Sequence, residues 1–386
     1  MAAKVCFISL SRSDYASLRP VIRAAQVDAE IEATVVAGGS HLLQRFGNSI
    51  ENFKLDGIEV NQVIDFLDEQ DNTELDIARA HGRAYRAFVE YLHANQPDSV
   101  FILGDRWEML AVATAASLLR IPIFHHSGGD ITQGSQDNQT RYALSALAHF
   151  HLVALQQHRQ RLLHLGEEDW RVISVGEPAL TEIAQSGIDD IRSELGLRSN
   201  APFVLATYHP TTFESMSFSE QVRFFVAALD LIEIDIVLTA PNPDPGSNTF
   251  YEVLQNYADR RANVYLFENL GAERYYAAMN EAEYMIGNSS SGIWEAPSFG
   301  LPVINLGKRQ QDRLRGPNVI DVELDLAAVG QAFTQIDELK SSVALRQKLN
   351  PYVMADTVAL ILNALKMDIT RERLLNKVFV DPLTRQ

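Results

Sequence analysis

The chain has 386 residues, and at roughly 100–200 residues per domain this length predicts two domains. Hydrophobic residues make up 46% of the chain and charged residues 22%, a balance that excludes an intrinsically disordered protein. The formal net charge of -17 argues against nucleic acid or an anionic membrane as partner, because both require a positive field. A nucleotide ligand is still possible, since a few arginines and backbone N–H groups can bind a diphosphate on an acidic protein.

The N-terminus lacks a signal-peptide pattern, and the most apolar helical stretch, around residues 110–119, is too short to span a membrane. The sequence therefore predicts a cytoplasmic protein. The chain has one cysteine, Cys6, which lies in an apolar run. We interpret it as a small buried side chain and not as a catalytic thiol.

In the first half of the chain, short apolar and β-branched runs alternate with longer segments of helical pattern. The predicted strands cover residues 5–10, 33–37, 100–103, 121–124, 152–155 and 172–175. Helical patterns at residues 18–26 and 74–94 separate some of them. Strands that are apolar throughout, with helices between them, indicate a parallel sheet covered on both faces.

The pattern breaks near Gly176 and restarts after a segment of helical pattern at residues 181–197. The second set of predicted strands covers residues 203–207, 234–238, 264–267, 284–286 and 303–306. We predict two Rossmann-like α/β domains, residues 1–180 and 181–365, with the boundary uncertain by several residues. An apolar helix at residues 357–365 ends the second domain, and a helix at about 366–386 is expected to pack back onto the first.

Ligands of open parallel sheets bind beyond the carboxyl ends of the strands, so the polar loops after the predicted strands are the candidate site. In the first domain these loops supply Arg12, Asp105 and Arg106, and a glycine-rich turn supplies Asp130, with Asp137 and Arg141 close behind it. Arginines clamp phosphates, and carboxylates at strand ends suit acid–base chemistry. Taken alone, the first two loops are equally compatible with capped helix starts.

In the second domain the candidate side chain after the first predicted strand is His209, an acid, base or phosphate contact held by the following proline. A run of small hydroxyl residues after a later strand forms the next candidate: Asn288, Ser289, Ser290, Ser291 and Gly292. These residues enter a predicted helix, whose hydroxyl and N–H groups can bind a diphosphate. Glu295 is placed to accept from ribose hydroxyls, and Arg309 and Arg313 add positive charge.

The GxGxxG and GxxxxGK[ST] fingerprints are absent from the sequence, which disfavours NAD-dependent redox chemistry and P-loop hydrolysis. His125 and His126 suggest a metal, but no third ligand has a suitable spacing. The sequence therefore predicts no metal and no cofactor. Phosphate-type loops and carboxylates at the strand ends of two domains fit a nucleotide-sugar cleft best.

With these loops in hand, the chain resembles the hydrolysing UDP-N-acetylglucosamine 2-epimerases, the sialic-acid and legionaminic-acid pathway type. The motifs that carry the resemblance span nearly the whole chain: SRSDY, AGGSHL with RFG, GDRWEMLA, SGGD…D…R, TYHP, PNPD and GNSSSGIWEAPSFGLPVINLGKRQ. The resemblance implies a glycosyltransferase-B-like pair of Rossmann domains with the active site in the interdomain cleft. It also implies that UDP is held mainly by the second domain, with no metal and no NAD.

Residue by residue, the resemblance implies nucleotide contacts at Arg12, Ser290, Ser291, Glu295 and Arg313. It places Asp105, Asp137 and His209 on the catalytic positions of the family, and Asp130 where the family has a catalytic glutamate. Asn242, in PNPD, joins the expected binding set with the remaining arginines and small residues of the loops. The implied reaction is anti elimination of UDP with loss of the C2 proton, followed by addition of water.

The chain departs from the family pattern at the sugar end, with SGGD for HGGE and Arg141-Tyr142 for Arg-His. A base misplaced by about 1 Å costs on the order of 100-fold in rate, so a shorter carboxylate here affects the chemistry. We interpret the chain as a divergent member of the family. A modified substrate, such as a UDP- or GDP-linked 2,4-diacetamido-trideoxy hexose, is one alternative. A non-hydrolysing epimerase, a glycosyltransferase and a nucleotide-sugar-binding protein without catalysis are the others. The apolar C-terminal helix makes a homodimer or homotetramer the expected assembly.

Overall fold

The computed structural model describes residues 2–71, 73–185, 187–198, 201–241 and 246–381. Within these residues the chain forms two parallel sheets with helices on both faces, as the strand pattern predicts. The strands are apolar on both faces, and amphipathic helices cover these faces from either side. Across the same residues, no helix combines the length and apolar character needed to cross a bilayer.

The first sheet has the order β3-β2-β1-β4-β5-β6-β7 among the described residues. Its strands are β1 Ala3–Ser9, β2 Ile31–Gly38, β3 Gln62–Ile64, β4 Ser99–Leu103, β5 Ile123–His126, β6 Phe150–Val153 and β7 Val172–Ser174. Its helices are α1 Arg12–Val27, α2 Glu51–Leu55, α3 Glu74–Asn95, α4 Trp107–Leu118, α5 Gln136–Leu147 and α6 Gln156–His164. This order reverses between β1 and β4, which opens a crevice at the carboxyl ends of those two strands.

The second sheet has the order β10-β9-β8-β11-β12-β13 among the described residues. Its strands are β8 Phe203–Thr207, β9 Asp235–Thr239, β10 Val264–Phe267, β11 Met285–Gly287, β12 Val303–Leu306 and β13 Val319–Val322. Its helices are α7 Ile191–Glu194, α8 Phe218–Leu229, α9 Ser247–Asp259, α10 Gly271–Glu281, α11 Ser291–Trp294, α12 Ala296–Phe299, α13 Leu326–Ser341 and α14 Val343–Arg346. The same reversal occurs here between β8 and β11.

The segment at residues 181–197, predicted as one helix, is a 3-10 stretch, Pro178–Gln185, followed by the four-residue α7. Glycines at positions 187 and 196 explain the interruption, because glycine weakens a helix interior and Gly196 ends α7 in a left-handed conformation.

The chain returns to the first domain earlier than the sequence suggests. Helix α15, Thr357–Leu365, was assigned to the second domain, but its Ile361 and Leu365 lie in the hydrophobic core beside α1. The short helix α16, Arg371–Leu375, follows it, and the Arg171 guanidinium binds the backbone carbonyls of Leu374 and Asn376. Both segments after residue 356 therefore belong to the first domain in space.

Two chain crossings connect the domains and touch each other. The backbone N–H of Glu177, in the outgoing crossing, donates to the carbonyl of Tyr352, in the returning one, at 3.1 Å. Tyr352 is fully buried, and its hydroxyl donates to the carbonyl of Leu314 in the second domain. The two crossings thus pack against each other at the junction of the domains.

Candidate active site in the interdomain cleft

The carboxyl ends of the two sheets face each other, and loops of the two domains are in direct contact. The Phe213 N–H donates to the carbonyl of Gly134 at 2.8 Å. Gln133 Nε2 lies 3.1 Å from Asp312 Oδ2, to which it donates a hydrogen bond. These contacts join the glycine-rich loop of the first domain to two loops of the second, so the structure shows a closed cleft.

Asp105 follows β4 and is held by Thr132 of the glycine-rich loop, residues 127–134, and by Arg141 of α5. Arg141 donates to Asp105 Oδ2, and the hydroxyl of Thr132 donates to the same oxygen at 3.3 Å. The Asp105 side chain retains 21% exposure, whereas Arg141 is almost fully buried. Asp137 lies one turn before Arg141 on α5, so both side chains share a helix face. The structure therefore brings Asp105, Asp137 and Arg141 to one side of the cleft.

Arg141 keeps hydrogen-bonding capacity beyond its contact with Asp105. Its Nε and Nη1 atoms are buried and have no partner within the part of the chain that the structure describes. Buried donors of this kind normally bind a ligand or a water molecule. The neighbouring Tyr142, by contrast, is 39% exposed and lies outside the buried network. The Arg141-Tyr142 departure from the family pattern thus leaves the arginine in place.

Asp130 lies deeper than Asp105 and is enclosed by charged groups from both domains. It is 1% exposed, with Oδ2 2.8 Å from Arg313 Nη2 and Oδ1 3.3 Å from His158 Nε2. Burial raises the pKa of Asp130, but the charge of Arg313 and the contact with His158 outweigh it and hold the pKa well below its usual range. A carboxylate this strongly stabilised is a weak base. Its environment therefore favours a structural ion pair with Arg313 over the predicted proton transfer.

Arg313 reaches out of the second domain into the glycine-rich loop. Its Nε donates to the carbonyl of Ile131 at 2.6 Å, and its Nη1 donates to Gln310 at 2.6 Å. The guanidinium also lies over the ring of Trp294, 5.1 Å from the ring centre. All three of its nitrogen atoms therefore contact protein groups. This geometry favours a brace between the domains over the predicted nucleotide contact.

His209 follows β8 and is positioned by Asn288. The Asn288 side chain accepts from the His209 N–H at 2.7 Å and donates to the His209 carbonyl at 2.9 Å. Burial lowers the pKa of the His209 imidazole well below its ordinary value. The charges of Arg309, Arg12 and Arg106 lower it further, in that order. His209 is therefore a neutral imidazole in a region of positive charge.

The three arginines come from both domains. Arg12, the first residue of α1, crosses the cleft and donates to the carbonyl of Ala240 at 2.6 Å and to that of Glu268. Burial, together with the charge of Arg106, lowers the pKa of Arg12 to about 10, so it stays positive near neutral pH. Arg309 donates to the carbonyl of Asn288 at 3.1 Å. Gathered positive charge inside an acidic protein is suited to an anionic ligand.

The serine-rich loop after β11 borders this positive region. The hydroxyls of Ser289 and Ser291 lie 2.9 Å apart, and Tyr275 reaches Ser291 at 2.7 Å. The helix that these residues enter is α11, which has four residues and forms a single turn. A Cβ on Gly292 would lie 2.8 Å from the Val303 side chain, so this glycine serves packing against β12. Ser290, just before α11, is half-buried at the rim.

Glu295 lies at the end of α11, near Glu177 in the outgoing crossing. Burial raises its pKa to about 8, and the charge of Glu177 adds to the effect. One oxygen of each carboxylate is buried and has no hydrogen-bond partner among the residues described. A partly exposed acid with a free acceptor beside the serine-rich loop can bind hydroxyl groups of a ligand. Asn242 of the predicted set lies outside the described residues.

Sequence reasoning missed Thr132, His158, Tyr275 and Gln310, all of which contact the predicted residues. Thr132 follows directly on the SGGD motif and was the most accessible to such reasoning. No group of three or more His, Cys, Asp and Glu side chains that could hold a metal ion occurs in residues 2–381, apart from the short gaps that are not described.

The cleft thus combines buried arginines, which suit an anionic ligand, with carboxylates and a neutral imidazole, which suit acid–base chemistry. Fold and site together define a two-domain enzyme class that handles sugar nucleotides in the cleft between Rossmann-like domains.

Comparison with known proteins identifies the family. Its sequence model, described as UDP-N-acetylglucosamine 2-epimerase, matches residues 23–366. A GDP/UDP-N,N'-diacetylbacillosamine 2-epimerase (hydrolyzing) of Campylobacter jejuni is 34% identical over 339 residues, 86% of this chain and 87% of that protein. A UDP-N,N'-diacetylbacillosamine 2-epimerase (hydrolyzing) of Legionella pneumophila is 34% identical over 332 residues, 85% of this chain and 87% of that protein. The chain belongs to the UDP-N-acetylglucosamine 2-epimerase family, as a divergent member of its hydrolysing branch.

Solved structures confirm the fold. The crystal structure of UDP-GlcNAc 2-epimerase from Neisseria meningitidis bound to UDP-GlcNAc superposes with a TM-score of 0.77 at 18% identity, covering 94% of this chain and 99% of that one. Two Rossmann-like domains in a glycosyltransferase-B-like arrangement, as predicted, are therefore the architecture of this chain.

Proposed function

We propose that this hydrolysing 2-epimerase acts on a nucleotide-linked 2,4-diacetamido-trideoxy hexose and releases the free 2-epimeric sugar and the nucleoside diphosphate. The two relatives at 34% identity are named for substrates of this kind, and their names differ in the nucleotide, GDP/UDP in one and UDP in the other. UDP-N-acetylglucosamine is the alternative substrate of the same reaction. The observation that carries the proposal is that Arg12 of the first domain reaches across the cleft to the second domain, where its charge acts on the buried, neutral imidazole of His209.

At the nucleotide end, we assign the diphosphate to Arg12, Arg106 and Arg309 and to the serine hydroxyls of residues 289–291. The departing diphosphate gains charge as the C1–O bond breaks, so donors fixed in a water-poor cleft stabilise the transition state more than the ground state. The buried guanidinium of Arg12, which crosses between the domains, supports this role. The free carboxylate oxygen of Glu295 is assigned to the ribose hydroxyls.

At the sugar end, we assign the proton transfers to Asp105, Asp137 and His209. A base removes the C2 proton, the electron pair forms the C1–C2 double bond, and the diphosphate leaves with the electrons of the C1–O bond. Water then adds its hydroxyl to C1, and a proton reaches C2 from the opposite face. Asp105 is partly exposed in the cleft and held by Arg141, which suits a group that must meet substrate in a fixed orientation.

The preference for the diacetamido sugar draws support from Asp130. The resemblance implies a longer glutamate at this position, and Asp130 is moreover drawn back toward Arg313 and His158. The shorter side chain is a change at the sugar end of the site, and such a change fits a modified sugar. The cytoplasmic location and the homodimer or homotetramer stay predictions of the sequence.

The proposal is tested by measuring kcat/KM and products for two substrates, UDP-N-acetylglucosamine and UDP-N,N'-diacetylbacillosamine, with the Asp105→Asn variant as the inactive control. We expect free 2-epimeric sugar and UDP, with the diacetamido substrate favoured by at least about 10-fold, since its 4-acetamido group adds more contact area than the single methylene that already supports this ratio in a pocket. Equal or better use of UDP-N-acetylglucosamine would reject the substrate assignment. An intact epimerised nucleotide sugar would show a non-hydrolysing enzyme, and UDP binding without turnover of either compound would reject the catalytic assignment.

A further inference from the structure

The hydroxyl of Thr132 joins the two halves of the site. Thr132 is 1% exposed and follows the SGGD motif in the glycine-rich loop of the first domain. Its Oγ1 donates to Asp105 at 3.3 Å and accepts from Arg141 at 2.9 Å and from Arg313 at 3.0 Å. A threonine hydroxyl has one proton to donate and two lone pairs to accept with, so its entire hydrogen-bonding capacity is used.

The partners of this hydroxyl come from different domains. Asp105 and Arg141 belong to the first domain, whereas Arg313 follows β12 of the second domain. Arg313 also binds the carbonyl of Ile131, the residue before Thr132, at 2.6 Å. The backbone of Thr132 is fixed to α5, because its N–H donates to the side chain of Asn138 at 3.1 Å. The contact between Thr132 and Arg313 can therefore exist only while the second domain packs against the glycine-rich loop.

With both lone pairs occupied by guanidinium groups, the single hydroxyl proton is directed at Asp105. When the cleft opens and Arg313 withdraws, one lone pair is freed and the hydroxyl can rotate away from the carboxylate. The orientation of the Asp105 carboxylate then depends on whether the domains are closed. Hydrogen bonds in a buried network strengthen one another, so the loss of one member weakens the rest.

We propose that Thr132 is a positioning residue that couples closure of the two domains to the orientation of Asp105. The inference rests on the proposed function in that it takes Asp105 as a proton-transfer group. It adds that the Asp105 carboxylate is oriented for proton transfer only when the second domain has closed against the first. Proton abstraction before the diphosphate is enclosed is thereby disfavoured, because the misoriented carboxylate is a poor base for the C2 proton.

The test compares the wild type with Thr132→Val, which removes the hydroxyl at nearly constant shape, and Thr132→Ser, which restores it. Thr114→Val is the matched control, because the Thr114 hydroxyl donates to the carbonyl of Leu110 inside α4 at 2.7 Å. We expect Thr132→Val to lower kcat about 10- to 100-fold with KM changed less than about threefold. Thr132→Ser should recover kcat to within about threefold, and Thr114→Val should resemble the wild type.

Hydrogen exchange of the ligand-free protein gives a readout that does not depend on turnover. Thr132→Val should speed exchange in residues 130–141 and in residues 307–316 of the other domain, whereas Thr114→Val should leave both segments unchanged. The inference is overturned if exchange in the second segment does not change, or if serine fails to restore kcat. If the wild type turns over neither substrate, the proposed function fails, and the exchange data alone decide whether Thr132 couples the domains.

Discussion

The ion pair between Asp130 and Arg313 permits a quantitative test of the interdomain brace. Removing one partner of a buried ion pair costs about 3–5 kcal/mol, because the other charge stays buried without compensation. Asp130→Asn keeps a carbonyl oxygen for the contact with His158, so its cost should lie at the low end. Arg313→Gln also loses the bonds to Ile131 and Thr132, so its cost should lie at the high end.

The assay is a double-mutant cycle on the free energy of unfolding, measured by urea denaturation of both single variants and the double variant. We expect a coupling of about 2–3 kcal/mol between Asp130 and Arg313, since the second substitution removes a group that has already lost its partner. The exposed pair of Arg159 and Asp169, 2.8 Å apart with Asp169 75% exposed, is the control and should couple by less than about 1 kcal/mol. Additive single effects, with a coupling below about 0.5 kcal/mol, would refute the brace.

Three further predictions concern catalysis, nucleotide binding and the tail. Asp105→Asn should lower kcat at least about 100-fold while calorimetric UDP affinity stays within about threefold; a loss of affinity instead would mean that Asp105 contacts the nucleotide. Glu295→Gln should weaken UDP binding by about 1–3 kcal/mol at pH 9, where the wild-type side chain is ionised. Because the pKa of Glu295 is raised to about 8 and the ionised form accepts from hydroxyls, wild-type affinity should rise between pH 7 and pH 9 and stay flat in the variant; a falling wild-type affinity would contradict this. Lys377→Met removes the hydrogen bonds that the ammonium group donates to Glu167 at 2.5 Å and to the carbonyl of Ala148 at 2.8 Å. It should lower the free energy of unfolding by about 1–3 kcal/mol with kcat unchanged. A loss of kcat would show that the C-terminal segment contributes to the active site.

Much of the site could be predicted from the sequence because parallel strands bring their carboxyl ends to one edge of a sheet. Arg12, Asp105 and His209 were located from strand patterns alone, and the structure brings them to one cleft. Their chemical roles stay predictions. The two-domain architecture followed from the same patterns and is confirmed by structures with the same fold.

The contacts across the cleft were not accessible from the sequence. Arg313 and Thr132 are 181 residues apart, and their meeting depends on how the two domains are placed, which no local pattern records. The placement of α15 was not accessible for a similar reason, because an apolar helix can bury its face against either domain. The lowered pKa of Asp130 depends on the charges of Arg313 and His158, which its motif does not record.

The central claim is most directly tested by proton NMR of the purified protein with a 2-acetamido sugar nucleotide, UDP-N,N'-diacetylbacillosamine or UDP-N-acetylglucosamine, in deuterated water. Elimination followed by addition of water takes the new C2 hydrogen from the solvent. The account predicts free 2-epimeric sugar that carries deuterium at C2, formed together with UDP. Free sugar that retains its original C2 proton, or an unchanged configuration at C2, would contradict it.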